Sequence, residues 1–190
     1  MSDHDKGSTK RPAPTQLGKR ELIESLQLEP HVEGGFFRRT FQADHRATVG
    51  SGSGSGNDSG NDDDASQRYL LTSIFYLLTE DARVGHWHRN RSDIIHYFHL
   101  GEPIEYSLIH PDGRLETAVM GPDPTRGQRL QLTVLGGVWK ASHLRRGEYG
   151  LISEAVAPGF DYRDMELGER AALTAQFPQH RALIEAYTRG

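Results

Sequence analysis

The sequence predicts a mainly β protein with one domain, an antiparallel sandwich or barrel. From Tyr69 onward, short segments rich in β-branched and aromatic residues recur at roughly ten-residue intervals. Each segment stops at a turn signal such as Pro111-Asp112-Gly113 or Gly136-Gly137. No helical pattern lies between the segments, and a chain of 190 residues supplies one well-buried core rather than two. These features are typical of antiparallel sheets that pack face to face or close into a barrel.

The folded part begins with a helix and a strand. Leucine and isoleucine residues at helical spacing predict a short amphipathic helix over 16–26. Pro30 and the Gly34-Gly35 pair then predict a loop, and the aromatic segment 36–41 is predicted as the first strand. Further strands are predicted at 69–78, 84–89, 93–100, 104–110, 114–119, 129–135, 138–144 and 149–157.

The two ends of the chain differ from the strand-rich middle. Residues 169–175 and 178–188 have helical apolar spacing, and Pro178 separates them, which predicts a C-terminal helical hairpin. Residues 1–14 are too polar to bury the surface that would offset the entropy cost of ordering, so they are predicted to be a disordered tail. The domain therefore comprises 15–190.

A polar insert interrupts the domain at about 48–66. Its sequence alternates glycine with serine and then becomes rich in Asn and Asp, which predicts a flexible insertion within a hairpin. The glycines do not form a phosphate loop, because no strand leads into them, no helix follows, and the Lys-Ser/Thr ending is missing. The acidic residues also miss the spacing of an EF-hand.

Composition excludes several classes of protein. The net charge of −4 gives no indication of a nucleic-acid partner. The absence of cysteine excludes disulfides, thiolate metal sites and a cysteine nucleophile. The N-terminus has no apolar signal core, and no apolar run approaches the length of a membrane span. We therefore expect a soluble, cytoplasmic protein with no membrane partner.

Histidines are concentrated between Gly85 and Gly101, where four of the ten in the chain occur. Because side chains alternate along a strand, His86 and His88 are predicted to project together, and Asp93 can approach them from the next strand. This arrangement predicts a divalent metal site with those three residues as ligands. The other interpretation is a polar barrel lining that holds no metal.

The same stretch resembles the first motif of the cupin superfamily, in which a His-x-His pair and an acidic residue lie between two glycines. The second cupin motif supplies a further histidine, and Lys140 stands at the corresponding position here. A protonated lysine does not coordinate a metal and repels a divalent ion. His143 is a candidate substitute, but a regular strand turns it to the face opposite Lys140. The cofactor is therefore left open, since a divalent metal would lack its fourth ligand.

A closer resemblance covers about residues 16–189. It is to the uncharacterised single-domain branch known as cupin family five, and it rests on segments 28–38, 87–89, 92–93, 136–140, 156–162 and 177–180. The resemblance implies a double-stranded β-helix, or jelly-roll, barrel with a pocket inside its mouth, assembled as a homodimer. It implies no activity, because the branch has no settled function.

The candidate site residues follow from strand alternation and composition. His96 is expected to face inward because Ile94 and Phe98 share its face, whereas Glu154 is either exposed or paired inside a pocket. The candidate catalytic residues are His88, His96, Lys140 and Glu154, suited to proton transfer and charge stabilisation. The candidate ligand-binding residues are Glu33, Arg38, Tyr76, Trp87, Phe98, Tyr106 and Trp139.

Three functions are compatible with these residues. The first is binding of a small polar molecule, such as a sugar or nucleotide-sugar, with epimerase- or isomerase-like proton transfer. The second is a metal-dependent enzyme that uses His86, His88 and Asp93. The third is a non-catalytic binding module or dimeric scaffold.

Overall fold

The computed structural model describes residues 17–49 and 67–189, so the predicted tail and most of the predicted insert lie outside the described residues. Two antiparallel sheets face each other in the arrangement of a cupin jelly roll, as predicted. The strands are β1 Glu29–Pro30, β2 Phe36–Gln42, β3 Arg46–Thr48, β4 Gln67–Tyr69, β5 Thr72–Thr79, β6 Val84–Asn90, β7 Asp93–Gly101, β8 Ile104–Ile109, β9 Leu115–Met120, β10 Gln131–Val134, β11 Trp139–His143, β12 Tyr149–Ala157 and β13 Met165–Leu167.

The larger sheet has the strand order β1-β2-β5-β12-β7-β10, and the smaller sheet has the order β13-β6-β11-β8-β9. A separate hairpin of β3 and β4 flanks the insert, with Thr48 opposite Gln67. The predicted strands from 36–41 to 149–157 match observed strands to within a few residues at either end.

Apolar side chains fill much of the space between the two sheets. Leu78 and Ile152 come from the larger sheet, and Ile104 and Met120 come from the smaller one. All four are completely buried, as expected for strands whose alternate residues point into a common core. This packing holds the inward-facing polar residues of the same strands at fixed positions.

Helices cover the outer faces of both sheets. Helix α1 (Lys19–Ser25) packs Leu22 against the larger sheet. Helices α2 (Arg170–Gln176) and α3 (Arg181–Tyr187) pack against Trp87 and Trp139 on the outside of the smaller sheet. The helix predicted over 16–26 is thus shorter, and the predicted C-terminal hairpin is present. No helix in the described part of the chain is long and apolar enough to cross a membrane.

A β-bulge in β6 changes which side chains face inward. In the pairing with β11, Lys140 lies opposite His88, but Ser142 lies opposite Gly85. His86 and Trp87 therefore together oppose the single residue Ala141, which is the pattern of a bulge. The strict alternation assumed from the sequence breaks at this point.

Candidate functional site

Polar side chains meet inside the barrel, between the two sheets. His96 and Glu154 are paired on β7 and β12 of the larger sheet, and His88 and Lys140 are paired on β6 and β11 of the smaller sheet. None of the four is more than 8% exposed. The fold thus brings together all four residues that the sequence predicts as catalytic, and Glu154 lies inside rather than on the surface.

Lys140 spans the barrel and joins the two sheets. Its Nζ lies 3.0 Å from Nε2 of His96 and 3.6 Å from Oε1 of Glu154. Nδ1 of His96 lies 3.2 Å from the carbonyl oxygen of Leu132. This carbonyl assigns the ring proton to Nδ1, so that Nε2 accepts a hydrogen bond from the lysine ammonium. The same Nε2 lies 3.2 Å from Oε1 of Glu154, so the neutral imidazole and the carboxylate both present acceptor atoms to the lysine ammonium.

The loop between β1 and β2 places Glu33 beside this group. Gly34 turns the chain with a φ of 97°, a conformation that favours glycine. The hydroxyl of Tyr76 donates to the carbonyl of Gly34 at 2.9 Å, and the amide of His86 donates to the carbonyl of Glu33 at 2.6 Å. These bonds hold Glu33 so that its Oε2 lies 3.1 Å from Nε2 of His88.

His88 presents an unprotonated nitrogen to the interior. Its Nδ1 lies 2.7 Å from the carbonyl oxygen of His86, which assigns the ring proton to Nδ1. With Glu33 ionised, Nε2 has no hydrogen-bond partner within residues 17–49 and 67–189. A protonated Glu33 provides a donor within reach, so these two side chains are arranged to share one proton.

Burial and a neighbouring charge shift the pKa values of the two carboxyl groups in opposite directions. Burial raises the pKa of Glu33 to about 8, despite the attraction of Lys140. Burial acts in the same direction on Glu154, but the charge of Lys140 holds the pKa of that carboxyl below its ordinary value. Burial and the charge of Lys140 lower the pKa of both His88 and His96. At neutral pH the site therefore holds a protonated Glu33, an ionised Glu154 and two neutral imidazoles.

Two small spaces adjoin these residues, and both are lined by Glu33 and Glu154. We call the first the chamber; it is lined by Glu33, Tyr76, His88, Tyr106, Lys140, Ala141, Ser142 and Glu154. We call the second the mouth; it is lined by His31, Glu33, Phe37, Arg39, Ile74, Asn90, Glu154, Val156 and Phe160. Their volumes of about 10 Å³ and 30 Å³ give room for about one and two water molecules, at ~10–15 Å³ each. Only a small ligand group fits without movement of side chains.

The mouth contains a second polar atom in an unusual position. Asn90 is 7% exposed and lies two residues beyond His88 on β6. Its Oδ1 is buried and has no hydrogen-bond partner in the described part of the chain. Buried polar atoms normally have partners, so an unpaired acceptor in a ligand-sized recess favours a bound donor group.

The structure does not bring together the three predicted metal ligands. The β6 bulge turns His86 out of the chamber, and its Nδ1 lies 3.1 Å from the carbonyl oxygen of Tyr187. Asp93 accepts a hydrogen bond of 2.7 Å from the amide of Gly136 in an exposed turn. Among the described residues, no group of three His, Asp or Glu side chains is arranged to hold a metal ion.

A metal also does not fit at the position implied by the cupin motifs, because Lys140 extends into it. His143 does not substitute for the missing ligand, since it lies on the outer face and contacts the hydroxyl of Tyr187 at 3.3 Å. The expected orientation of His143, opposite to Lys140, is confirmed.

Two predicted ligand-binding aromatic residues lie outside the barrel interior. Trp87 and Trp139 pack with Leu173 and Ile184 of the C-terminal helices. The indole nitrogen of Trp87 donates to the carbonyl of Leu183 at 3.3 Å. Both tryptophans are on the outward-facing side of their strands, so they join the helical hairpin to the smaller sheet instead of lining the mouth.

The other predicted ligand-binding residues divide between the site and its surroundings. Tyr76 and Tyr106 line the chamber with Glu33, and burial raises the pKa of both phenols. Phe98 packs against the apolar core. Arg38 points to the outside, where its guanidinium donates to the carbonyl of Leu26 at 3.2 Å.

Sequence reasoning missed His31, Arg39 and Asn90. Burial lowers the pKa of His31 to about 4, and its Nδ1 lies 3.5 Å from Oε2 of Glu33. Arg39 lines the mouth because it shares a strand face with Phe37. The candidate named from the sequence is its neighbour Arg38, which lies on the other face of the strand. The sequence signal for Arg39 is its position two residues after Phe37, because residues two apart on a strand share one face.

The chain matches the family model described as Cupin superfamily (DUF985) over residues 20–168. A curated relative, the uncharacterized protein YML079W of Saccharomyces cerevisiae, is 39% identical over 155 residues, which span 76% of this chain and 72% of the relative.

Two solved structures are similar over nearly the whole chain. A hypothetical protein from Leishmania major has a TM-score of 0.78 at 30% identity, covering 92% of this chain and 100% of that one. Protein SO0799 from Shewanella oneidensis has a TM-score of 0.76 at 33% identity, covering 92% of this chain and 99% of that one.

Proposed function

Since the chain belongs to the DUF985 family of the cupin superfamily, we propose that its barrel binds a small polar molecule with a carbonyl or hydroxyl group. The barrel then moves a proton from one atom of that molecule to another. This is an isomerase- or epimerase-like activity that needs no metal. The observation that carries the proposal is the close contact of 3.1 Å between the carboxyl of Glu33 and the unprotonated nitrogen of His88, deep in the barrel.

The two groups suit the two halves of a proton transfer. Once a ligand oxygen accepts the hydrogen bond of Glu33, neutral His88 offers a lone pair at Nε2, which removes a proton from a carbon next to a carbonyl group. Glu33, whose pKa burial raises to about 8, is a protonated acid near neutral pH and returns a proton elsewhere on the ligand. The imidazolium of His88 then passes its proton to the Glu33 carboxylate across the 3.1 Å contact, which restores both groups for the next cycle.

Lys140 supplies the charge that this step requires. Its ammonium group has three N–H donors, and it directs two of them toward His96 and Glu154. The third is available to a ligand oxygen on which negative charge develops when His88 removes the proton. In a buried site such a fixed donor stabilises the developing charge more strongly than it would in water.

The mouth determines the size and polarity of the proposed ligand. Ile74, Phe37 and Phe160 provide apolar walls, Arg39 adds a positive charge, and Asn90 offers an unpaired acceptor. The cavity volume of about 30 Å³ is too small for a whole nucleotide-sugar. We therefore favour a short hydroxy-aldehyde or hydroxy-ketone, or a larger sugar that inserts only its carbonyl end.

Deuterium exchange tests the proposed activity. Tag-free protein is incubated in D₂O with glycolaldehyde, glyceraldehyde, dihydroxyacetone and a series of aldoses, and loss of the C–H signal beside the carbonyl is followed by ¹H NMR. We expect catalysed exchange for at least one compound. His88→Gln is expected to slow it by about 10²-fold or more, because it removes the base.

His86→Gln is the matched control, since this histidine is two residues away but is turned toward Tyr187. It is expected to exchange at the rate of the wild type. Equal rates in both variants would contradict the role of His88. Saturation-transfer signals from a bound compound without any exchange would instead favour a binding module that does not catalyse a reaction.

A further inference from the structure

Lys140 lies among side chains that are themselves good metal donors. Its Nζ contacts Nε2 of His96 and Oε1 of Glu154, and Glu33 and His88 line the same chamber. Imidazole nitrogen and carboxylate oxygen are the ligands preferred by zinc, cobalt and manganese ions. The only cation that these four groups surround within the described residues is the lysine ammonium.

The fold fixes the ammonium in this position. The backbone of Lys140 is paired with His88 on one side and with Leu108 on the other, in the middle of the smaller sheet. Its side chain is 2% exposed, so the ammonium is held inside the barrel. A divalent ion that approached His96 and Glu154 would therefore meet a fixed positive charge at contact distance.

We propose that the ammonium of Lys140 is the resident cation of this barrel, and that a histidine in its place completes a divalent-metal site with His96 and Glu154, whose Nε2 and Oε1 atoms lie 3.2 Å apart. This inference does not depend on the proton-transfer activity. It concerns which cation occupies the barrel, and measurements of metal binding alone test it.

Replacing Lys140 with histidine tests the inference most directly, because the change removes the charge and adds a ligand. Tag-free wild-type and Lys140→His proteins are equilibrated with CoCl₂, and bound cobalt is measured by elemental analysis and by its visible absorption bands. We expect no stoichiometric cobalt in the wild type and about one cobalt per chain in the variant. Lys140→Ala, which removes the charge without adding a ligand, is expected to bind cobalt at least about tenfold more weakly than Lys140→His.

Two double variants identify the ligands. Adding His96→Gln or Glu154→Gln to Lys140→His is expected to abolish the absorption bands, whereas adding His86→Gln leaves them unchanged. Far-UV circular dichroism with and without cobalt monitors folding, and a Lys140→His protein that folds only with cobalt would also support the site.

Two results would overturn the inference. One is stoichiometric cobalt in the wild type that His88→Gln removes, since the ammonium would then not exclude a metal. The other is a Lys140→His protein that binds no cobalt, whether it is folded or remains unfolded at saturating cobalt, because a metal held by three folded-state ligands stabilises the fold.

Discussion

Replacing Lys140 with methionine is expected to lower the free energy of unfolding by about 3–5 kcal/mol. The side chain is of similar length, so the loss comes from charge rather than from packing. Glu154 is left as a buried carboxylate whose nearest cation, 3.6 Å away in the wild type, is gone. His96 also loses the donor that lies 3.0 Å from its Nε2.

Urea unfolding followed by circular dichroism measures this effect. The double variant Lys140→Met/Glu154→Gln is the control, because it removes both charges and the glutamine amide donates to His96. We expect it to recover most of the lost stability, since a buried ion pair contributes little beyond a neutral, well-packed replacement. A loss below about 1 kcal/mol in Lys140→Met would mean that the pair is exposed to water in solution.

Glu33 is expected to make the protein less stable as the pH rises from about 6 to about 9, by about 2.5 kcal/mol. Burial raises the folded-state pKa of this carboxyl to about 8, well above its ordinary value of 4.5. Between those values the folded state holds a proton that the unfolded state has released. The contribution of Glu33 is therefore complete at low pH and is lost as the pH rises through about 8.

The comparison with Glu33→Gln isolates this contribution. Several histidines with lowered pKa, among them His31, His88 and His96, change stability in the opposite direction near pH 6.5. Their contribution is common to both proteins, so the difference between the two unfolding free energies reports Glu33. A difference that stays constant from about pH 6 to about pH 9 would show that the Glu33 carboxyl titrates near its ordinary value.

Strand periodicity and turn signals predict most of this fold from the sequence. The prediction of a strand at 93–100 and of His96 on its inner face is confirmed, because Ile94 and Phe98 share that face. The sequence does not decide which face of its strand Glu154 occupies, since an isolated carboxylate in an apolar strand is compatible with either face. Its partner Lys140 lies on another sheet, and local pattern carries no information about contacts between sheets.

The errors in the predicted site have two physical causes. The bulge at His86 and Trp87 breaks the alternation on which the metal hypothesis depended. The aromatic residues Trp87 and Trp139 are equally suited to a ligand pocket and to a helix interface, and only the packed C-terminal helices distinguish the two. The homodimer, the cytoplasmic location and the ligand class remain predictions.

The bulge also affects how relatives are to be aligned. Strand β6 has one residue more than β11 needs between Gly85 and His88. A relative that lacks this residue would form a regular ladder here and still place its counterpart of His88 opposite Lys140. An alignment that matches the two chains at His86 would then place chamber residues of one chain against outer-face residues of the other. Positions on this strand are therefore best aligned at His88 and counted backward from it.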